Sequence, residues 1–167
     1  KYDEAEPLFR EALEVSRETL GTRHPHTLIS TTNLGALLHA KGDLAAAEPL
    51  FRQVLAGQRD AFGNLHLDTL NSINNLGLLL KDKGDLAAAE PLLREALKGR
   101  RETLGDRHPS TLDSINDLAL LLMDKGDLAA AEPLLREALE VWRETLGNRH
   151  RSTLASISDL GSLLHDK

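Results

Sequence analysis

Four histidines, His24, His66, His108 and His150, recur at intervals of 42 residues. Imidazole is the side chain best placed to hold a metal or pass a proton near neutral pH. Two histidines sharing one zinc each need a ring nitrogen about 2.0–2.1 Å from the ion. Residues one repeat apart sit instead in successive structural modules, on the order of 10 Å from each other by helix-packing distances. A cap or loop role therefore fits this column better than a shared metal. The Asp-Lys-Gly-Asp runs around Gly84 and Gly126 lack the alternating oxygen ligands and closing glutamate of a calcium loop. With no cysteine, disulfides, thiolate chemistry and Cys-based metal sites are excluded, which fits a reducing compartment. No nucleophile, histidine and acid recur in a catalytic arrangement, and no glycine-rich phosphate loop appears. The expectation is a non-enzymatic chain without cofactor or metal. Trp142 and Met123, each unique, read as packing or surface residues.

The same period organises the whole chain. Thr27, Thr69, Thr111 and Thr153 mark it. Residues 69–110 and 111–152 differ at nine positions: Asn71/Asp113, Asn75/Asp117, Gly77/Ala119, Lys81/Met123, Lys98/Glu140, Gly99/Val141, Arg100/Trp142, Asp106/Asn148 and Pro109/Arg151. Residues 27–68 are a more diverged copy, 1–26 match the second half of a repeat, and 153–167 match the first half. A fixed period of this size marks a repeat array, in which each module buries its apolar face against its neighbours. One array over 1–167 is the expected domain organisation. It opens part-way through a repeat, so it reads as a piece of a longer chain, and targeting information can lie outside it.

Composition narrows the class. Hydrophobic residues make up 41% and aromatics 3%, with Leu and Ala dominant, which favours helices over strands. A net charge of −6 opposes general binding to nucleic-acid phosphates, where Lys and Arg supply most of the affinity. No apolar run approaches the roughly 20 residues of a membrane span. Neither a nucleic-acid nor a membrane partner is expected, and a cytoplasmic setting is.

Each repeat predicts two helices. A short one covers about Pro109 to Asp124, with Leu112, Ile115, Leu118, Ala119 and Leu122 on one stripe. Pro109 suits the first helical turn, which makes His108 the N-cap, although histidine is not a favoured cap. Gly126, like Gly42 and Gly84, closes the helix in the left-handed conformation. A long helix covers about Leu86 to Leu104, capped by Asp85, with Leu86, Ala89, Leu93, Ala96, Leu97 and Leu104 as its apolar stripe; Gly105 ends it. Pro91, like Pro7, Pro49 and Pro133, lies inside, so a local kink or a loosened first turn is expected. Glu90 and Arg94 stand four apart, as do Glu6/Arg10, Glu48/Arg52 and Glu132/Arg136, the spacing of helical ion pairs.

These elements resemble the tetratricopeptide repeat, a helix–turn–helix with W-x2-L-G-x2-Y followed by A-x3-F. Ile73, Leu76, Gly77 and Leu80 match the first part; Ala89 and Leu93 match the second, with Phe51 supplying the aromatic in the preceding repeat. The eight residues beyond that family's usual 34 make this chain similar to the 42-residue repeats of kinesin light chains, which share its NNLA-like, G-x-x-x-x-AE-P and L-G-x-x-H-P signatures. The resemblance implies an all-α, right-handed superhelical solenoid of antiparallel helix pairs. It also implies a protein-interaction scaffold whose short helices line a peptide-binding face. On that face the resemblance places Thr32, Asn33, Ala36 and His39, then Asn71, Asn74, Asn75, Leu78, Lys81 and Asp82. In the next repeat it places Asp113, Asn116, Asp117, Leu120, Met123 and Asp124, and in the last Ser158, Asp159, Ser162 and His165.

Three of the nine differences, Asn71/Asp113, Asn75/Asp117 and Lys81/Met123, fall on this face. A shared scaffold with a varied binding surface shows that pattern; so does drift at exposed positions. Some relatives grip a partner's C-terminal carboxylate with Lys and Arg beside an Asn. Asn33 and Asn75 match that Asn, but Lys81 stands almost alone as a base. A groove lined mainly by acids attracts the opposite charge, so a neutral or basic peptide is expected. The opening and closing half-repeats are complementary, which raises head-to-tail self-association as the alternative.

Overall fold

The computed structural model describes residues 2–167. Among them the chain is all-α: α1 Tyr2–Leu20, α2 Pro25–Ala40, α3 Leu44–Phe62, α4 Leu67–Asp82, α5 Leu86–Leu104, α6 Pro109–Asp124, α7 Leu128–Leu146 and α8 Arg151–His165. Long helices of 19 residues alternate with short ones of 15 or 16.

The chain divides into two compact units, the first ending at Asp85 and the second spanning Leu86–Lys167. In the first, α1 packs on α2, α2 on α3 and α3 on α4; in the second, α5 packs on α6, α6 on α7 and α7 on α8. The predicted stripes form the cores, except that Leu86 and Leu104 at the ends of α5 are half-buried. Leu112, Ile115, Leu118, Ala119 and Leu122 are buried on α6, as are Ala89, Leu93, Ala96 and Leu97 on α5. In the first unit Phe51, Val54 and Leu55 of α3 are buried, as are Leu70, Ile73, Leu76, Leu79 and Leu80 of α4. Small residues let the helices close up: a Cβ on Gly57 would stand 2.9 Å from Leu28 Cδ2.

The helix ends explain the period. Each of the four histidines is an N-cap whose Nδ1 accepts a backbone N–H two residues on, from His26, Asp68, Ser110 and Ser152, at 3.1–3.2 Å. The cap expected at His108 thus recurs at all four positions. Gly42 and Gly126 take φ +83 and +80. That conformation lets Asp43 and Asp127 N–H reach back to Leu38 and Leu122 carbonyls at 2.9 and 2.8 Å, satisfying the last turn of the short helix. The marker threonines are fully buried, and two of them show their role. Thr111 and Thr153 hydroxyls donate to the carbonyls of Gly105 and Gly147, each at 2.8 Å, tying a short helix to the end of the long one before it.

The internal prolines do not loosen the first turn. In α3 and α7, Asp43 and Asp127 carboxylates accept from Ala46 and Ala130 N–H at 3.1 Å. The Asp43 and Asp127 carbonyls accept from Ala47 and Ala131, also at 3.1 Å. The missing proline N–H at Pro49 and Pro133 falls just beyond this closed turn, and the helices continue through it.

Candidate functional site

In the first unit a groove runs between the short helices α2 and α4, with α3 beneath. One 380 Å³ cavity is lined by Ile29, Thr32 and Asn33 from α2, Asn71 and Asn75 from α4, and Gln58 and Phe62 from α3. A second, of 250 Å³, is lined by Ala36, His39, Phe51, Asn75 and Leu78. Asn75 borders both. The placement follows from the helical period: Asn71, Asn75 and Leu78 stand four and three apart, on the face of α4 opposite its buried stripe.

The groove is built of carboxamides over apolar patches. His39 Nε2 lies 2.6 Å from Asp82 Oδ2, joining the ends of the two short helices. Asp68 borders the larger cavity, and a histidine nitrogen, His66 Nδ1, lies 3.7 Å from its carboxylate. The Gln58 Oε1 atom is buried without a hydrogen-bond partner.

In the second unit the equivalent residues are engaged with one another. Arg100 is buried at 7% exposure on α5. Its Nη1 donates to the Ser110 carbonyl at 3.0 Å and to Ser114 Oγ at 2.5 Å. Burial makes the guanidinium easier to deprotonate than usual, and the facing charges of Asp117 and Asp113 oppose that. Burial likewise raises the Asp113 carboxyl above its ordinary range, against the pull of Arg100 and then His108. Asp113 and Asp117, expected as groove acids, therefore face a cation of the protein itself. Asp159 accepts from Asn116 Nδ2 at 3.0 Å. Leu120 and Met123 are half-buried, and Asp124 and Ser158 are exposed.

One expected groove residue is misplaced. Asn74 is only 5% exposed, packed rather than open to a guest. Its counterpart Asn116, half-buried on α6, donates to Asp159 of α8 within the second unit. Asn71, Lys81, Asp117 and Asp124 all have interaction partners within the protein.

Other residues had a legible signal that helical spacing alone hides. The glutamates of the Glu–Arg pairs each take a second cation from 35 residues on: Lys41 for Glu6, Lys83 for Glu48, Lys125 for Glu90 and Lys167 for Glu132. The four arginines sit 2.7–2.8 Å from the same carboxylates. Hydrogen bonds from the lysine, then from the arginine, hold each glutamate below its usual range. These lysines share the 42-residue period, which was the available clue. Gln58 and Phe51 were also missed as groove-lining residues, because both lie on the long helix.

Among the described residues no helix is long and apolar enough to cross a membrane. No curated protein matches the chain by sequence. A tetratricopeptide repeat model matches residues 1–60, and a second matches 69–110 and again 111–152. Among solved structures, the nearly identical TPR-like repeats of a Podosopora anserina putative kinesin light chain superpose with a TM-score of 0.87. That match has 28% identity and covers 99% of this chain and 78% of that one. A point variant of the same Podosopora protein gives 0.88 and 29%, with the same coverage. BtubC (BKLC) from P. vanneervenii shares the fold at a TM-score of 0.84 and 20% identity, over 99% of this chain and 66% of that one. The chain belongs to the tetratricopeptide repeat family, in its 42-residue kinesin light chain-like form, and its general role is that of a protein–protein interaction scaffold.

Proposed function

We propose that the α2–α4 groove holds an extended, neutral or basic segment of a protein partner and performs no chemistry on it. The observation that carries this is the alignment of Asn33, Asn71 and Asn75 over two adjoining cavities, with Asn75 shared between them. A carboxamide offers both a donor and an acceptor, which is what an extended peptide backbone presents at every residue. Ile29 and Phe62 in one cavity, and Phe51 and Leu78 in the other, offer apolar seats for alternate side chains. Asp68 and Asp82 leave the rim acidic.

A peptide series of fixed sequence and changing charge tests this by calorimetric titration. Neutral and lysine-bearing members should bind with similar or increasing affinity, and more weakly at high salt for the basic ones. Tighter binding of an acidic peptide than of its charge-reversed counterpart would refute the charge assignment.

A second reading is head-to-tail self-association. It is favoured by the exposure of Leu8 and Val15 on α1 at 66% and 51%, and of Leu154, Ile157 and Leu164 on α8 at 53%, 38% and 48%. Scattered exposed apolar residues are ordinary, but these gather on two helices and match stripes that are covered elsewhere in the repeats. Sedimentation across a wide concentration range separates the readings. Purely monomeric behaviour removes the second, while growing assemblies unaffected by Asn75→Ala favour it.

A further inference from the structure

One inward-facing position on each long helix changes from repeat to repeat: Ser16 on α1, Gln58 on α3, Arg100 on α5 and Trp142 on α7. Fourteen residues on, the following short helix always carries a serine: Ser30, Ser72, Ser114 and Ser156. That serine is the neighbour in three of the four. Ser16 Oγ lies 3.5 Å from Ser30 Oγ, Arg100 donates to Ser114 Oγ at 2.5 Å, and Gln58 and Ser72 border the same cavity. The residue thirteen on differs in every repeat (Ile29, Asn71, Asp113, Ala155), and the one seventeen on is Asn33 and Asn75 in the first unit and Asp117 and Asp159 in the second. Gln58 meets the amides Asn71 and Asn75. Arg100 is bonded to Ser114, which lies between Asp113 and Asp117 in sequence, and the charges of both aspartates act on its guanidinium. Trp142, buried at 5% exposure, has Ala155 and Asp159 at the same offsets. Three of the nine differences between residues 69–110 and 111–152 belong to these sets: Arg100/Trp142, Asn71/Asp113 and Asn75/Asp117.

We infer that the Gln58 and Arg100 sets are matching keys, by which α3 and α5 each accept the short helix that follows and reject the corresponding short helix of another repeat. Near-identical repeats have near-interchangeable interfaces, and that invites swapped pairings within a chain or between copies. The keys make the interfaces unequal. Set on α4 in place of α6, Arg100 would find Asn71 and Asn75 and lose both carboxylates. Set on α8, it would keep only Asp159. A buried cation without its counter-charges is strongly disfavoured, and an arrangement that penalises the wrong partner is how specificity is built. Trp142 over Asp113 and Asp117 would in turn cover two carboxylates and supply no cation. The Asn-to-Asp changes on the groove rim thus answer to the residue beneath them, not only to a guest above.

The test is a thermal melt of full-chain variants, with light scattering to follow assembly. Asp113→Asn with Asp117→Asn gives Arg100 the wrong lock, and should lower Tm by roughly 5–15 °C and promote swapped dimers. Adding Arg100→Gln completes the amide set of the first unit and should recover at least about half of that loss, the non-additivity expected of residues that act together. The mirror set starts with Gln58→Arg and adds Asn71→Asp and Asn75→Asp. It makes the same prediction in the other unit and stands if the first variants fail to fold. Recovery in both sets supports the keys; losses that simply add in either set overturn them.

Discussion

Gln58 lies beneath the α2–α4 groove, and Arg100 lies at the same place in the second unit. The backbone plan around them is shared: the same histidine cap, the same serine neighbour, the same lysine–glutamate–arginine clamp on the flanking helices. The floor residue and the two rim residues above it change together. In the first unit amides face amides and leave open cavities with an unpartnered Gln58 oxygen. In the second a buried guanidinium is subject to the charges of Asp113, which is exposed, and Asp117, which is half-buried. The lesson is that rim charge cannot be read apart from the floor. Acids on a face become a weaker attractor when the protein supplies their counter-charge.

The largest expected effect breaks the shared plan itself. Phe51→Ala should destabilise by about 3–5 kcal/mol and the equivalent Leu135→Ala by about 2–5 kcal/mol, measured by denaturant titration. Phe51→Leu, which installs the residue of the later repeats, should cost less than about 1.5 kcal/mol yet reshape the smaller cavity. It therefore separates core from groove. Next comes the floor. Arg100→Ala strands the Ser110 carbonyl and the Ser114 hydroxyl and should lose about 1–3 kcal/mol. Gln58→Ala removes an oxygen that has no partner and should lose about 1 kcal/mol or less. Equal losses at the two sites would erase the contrast between the units.

The smaller effects probe what the units have in common. His66→Ala and His108→Ala each remove an N-cap and should each cost about 0.5–2 kcal/mol. A difference between them would show that Phe62, stacked on His66 with ring centroids 4.6 Å apart, adds to the cap in the first unit. The clamp glutamates contribute least individually, because exposed ion pairs are weak. Lysine first and arginine second hold Glu48 and Glu90 below the usual carboxylate range. A carboxylate with a depressed folded-state pKa adds stability above its ordinary range and loses it as pH falls through the lowered value. Stability should therefore decline below about pH 4.5. Lys83→Met and Lys125→Met should flatten that decline to the same extent in an acid titration.

Much of the fold was legible. Glycine after the first seven helices, aspartate before α3, α5 and α7 and a strict period located the elements, since these residues act through local backbone geometry. The caps at His24, His66 and His150 could be read because their position relative to the helix start is fixed. Local rules reached no further than one turn. They found Glu90–Arg94 and missed Lys125, whose contact depends on a helix packing back 35 residues away. The resemblance placed Asn74 on the open face, but it is buried while its neighbour Asn75, one helical step on, is half-exposed. Local rules did not mark Arg100 as interior, since arginine is seldom buried; its bonds to the Ser110 carbonyl and the Ser114 hydroxyl, with the charges of Asp117 and Asp113, explain its position. Gln58 and Phe51 were overlooked as groove residues because a floor is supplied by the helix behind the one that carries the rim.

The groove and the contrast between the units meet at two equivalent positions, Asn75 and Asp117. The decisive measurement is the affinity of one neutral, extended peptide for Asn75→Ala and for Asp117→Ala, by calorimetry well below either melting temperature. Loss of roughly tenfold or more, about 1.4 kcal/mol, at Asn75 with little change at Asp117 is the expected result. Unchanged binding at Asn75, or a larger loss at Asp117, would contradict it.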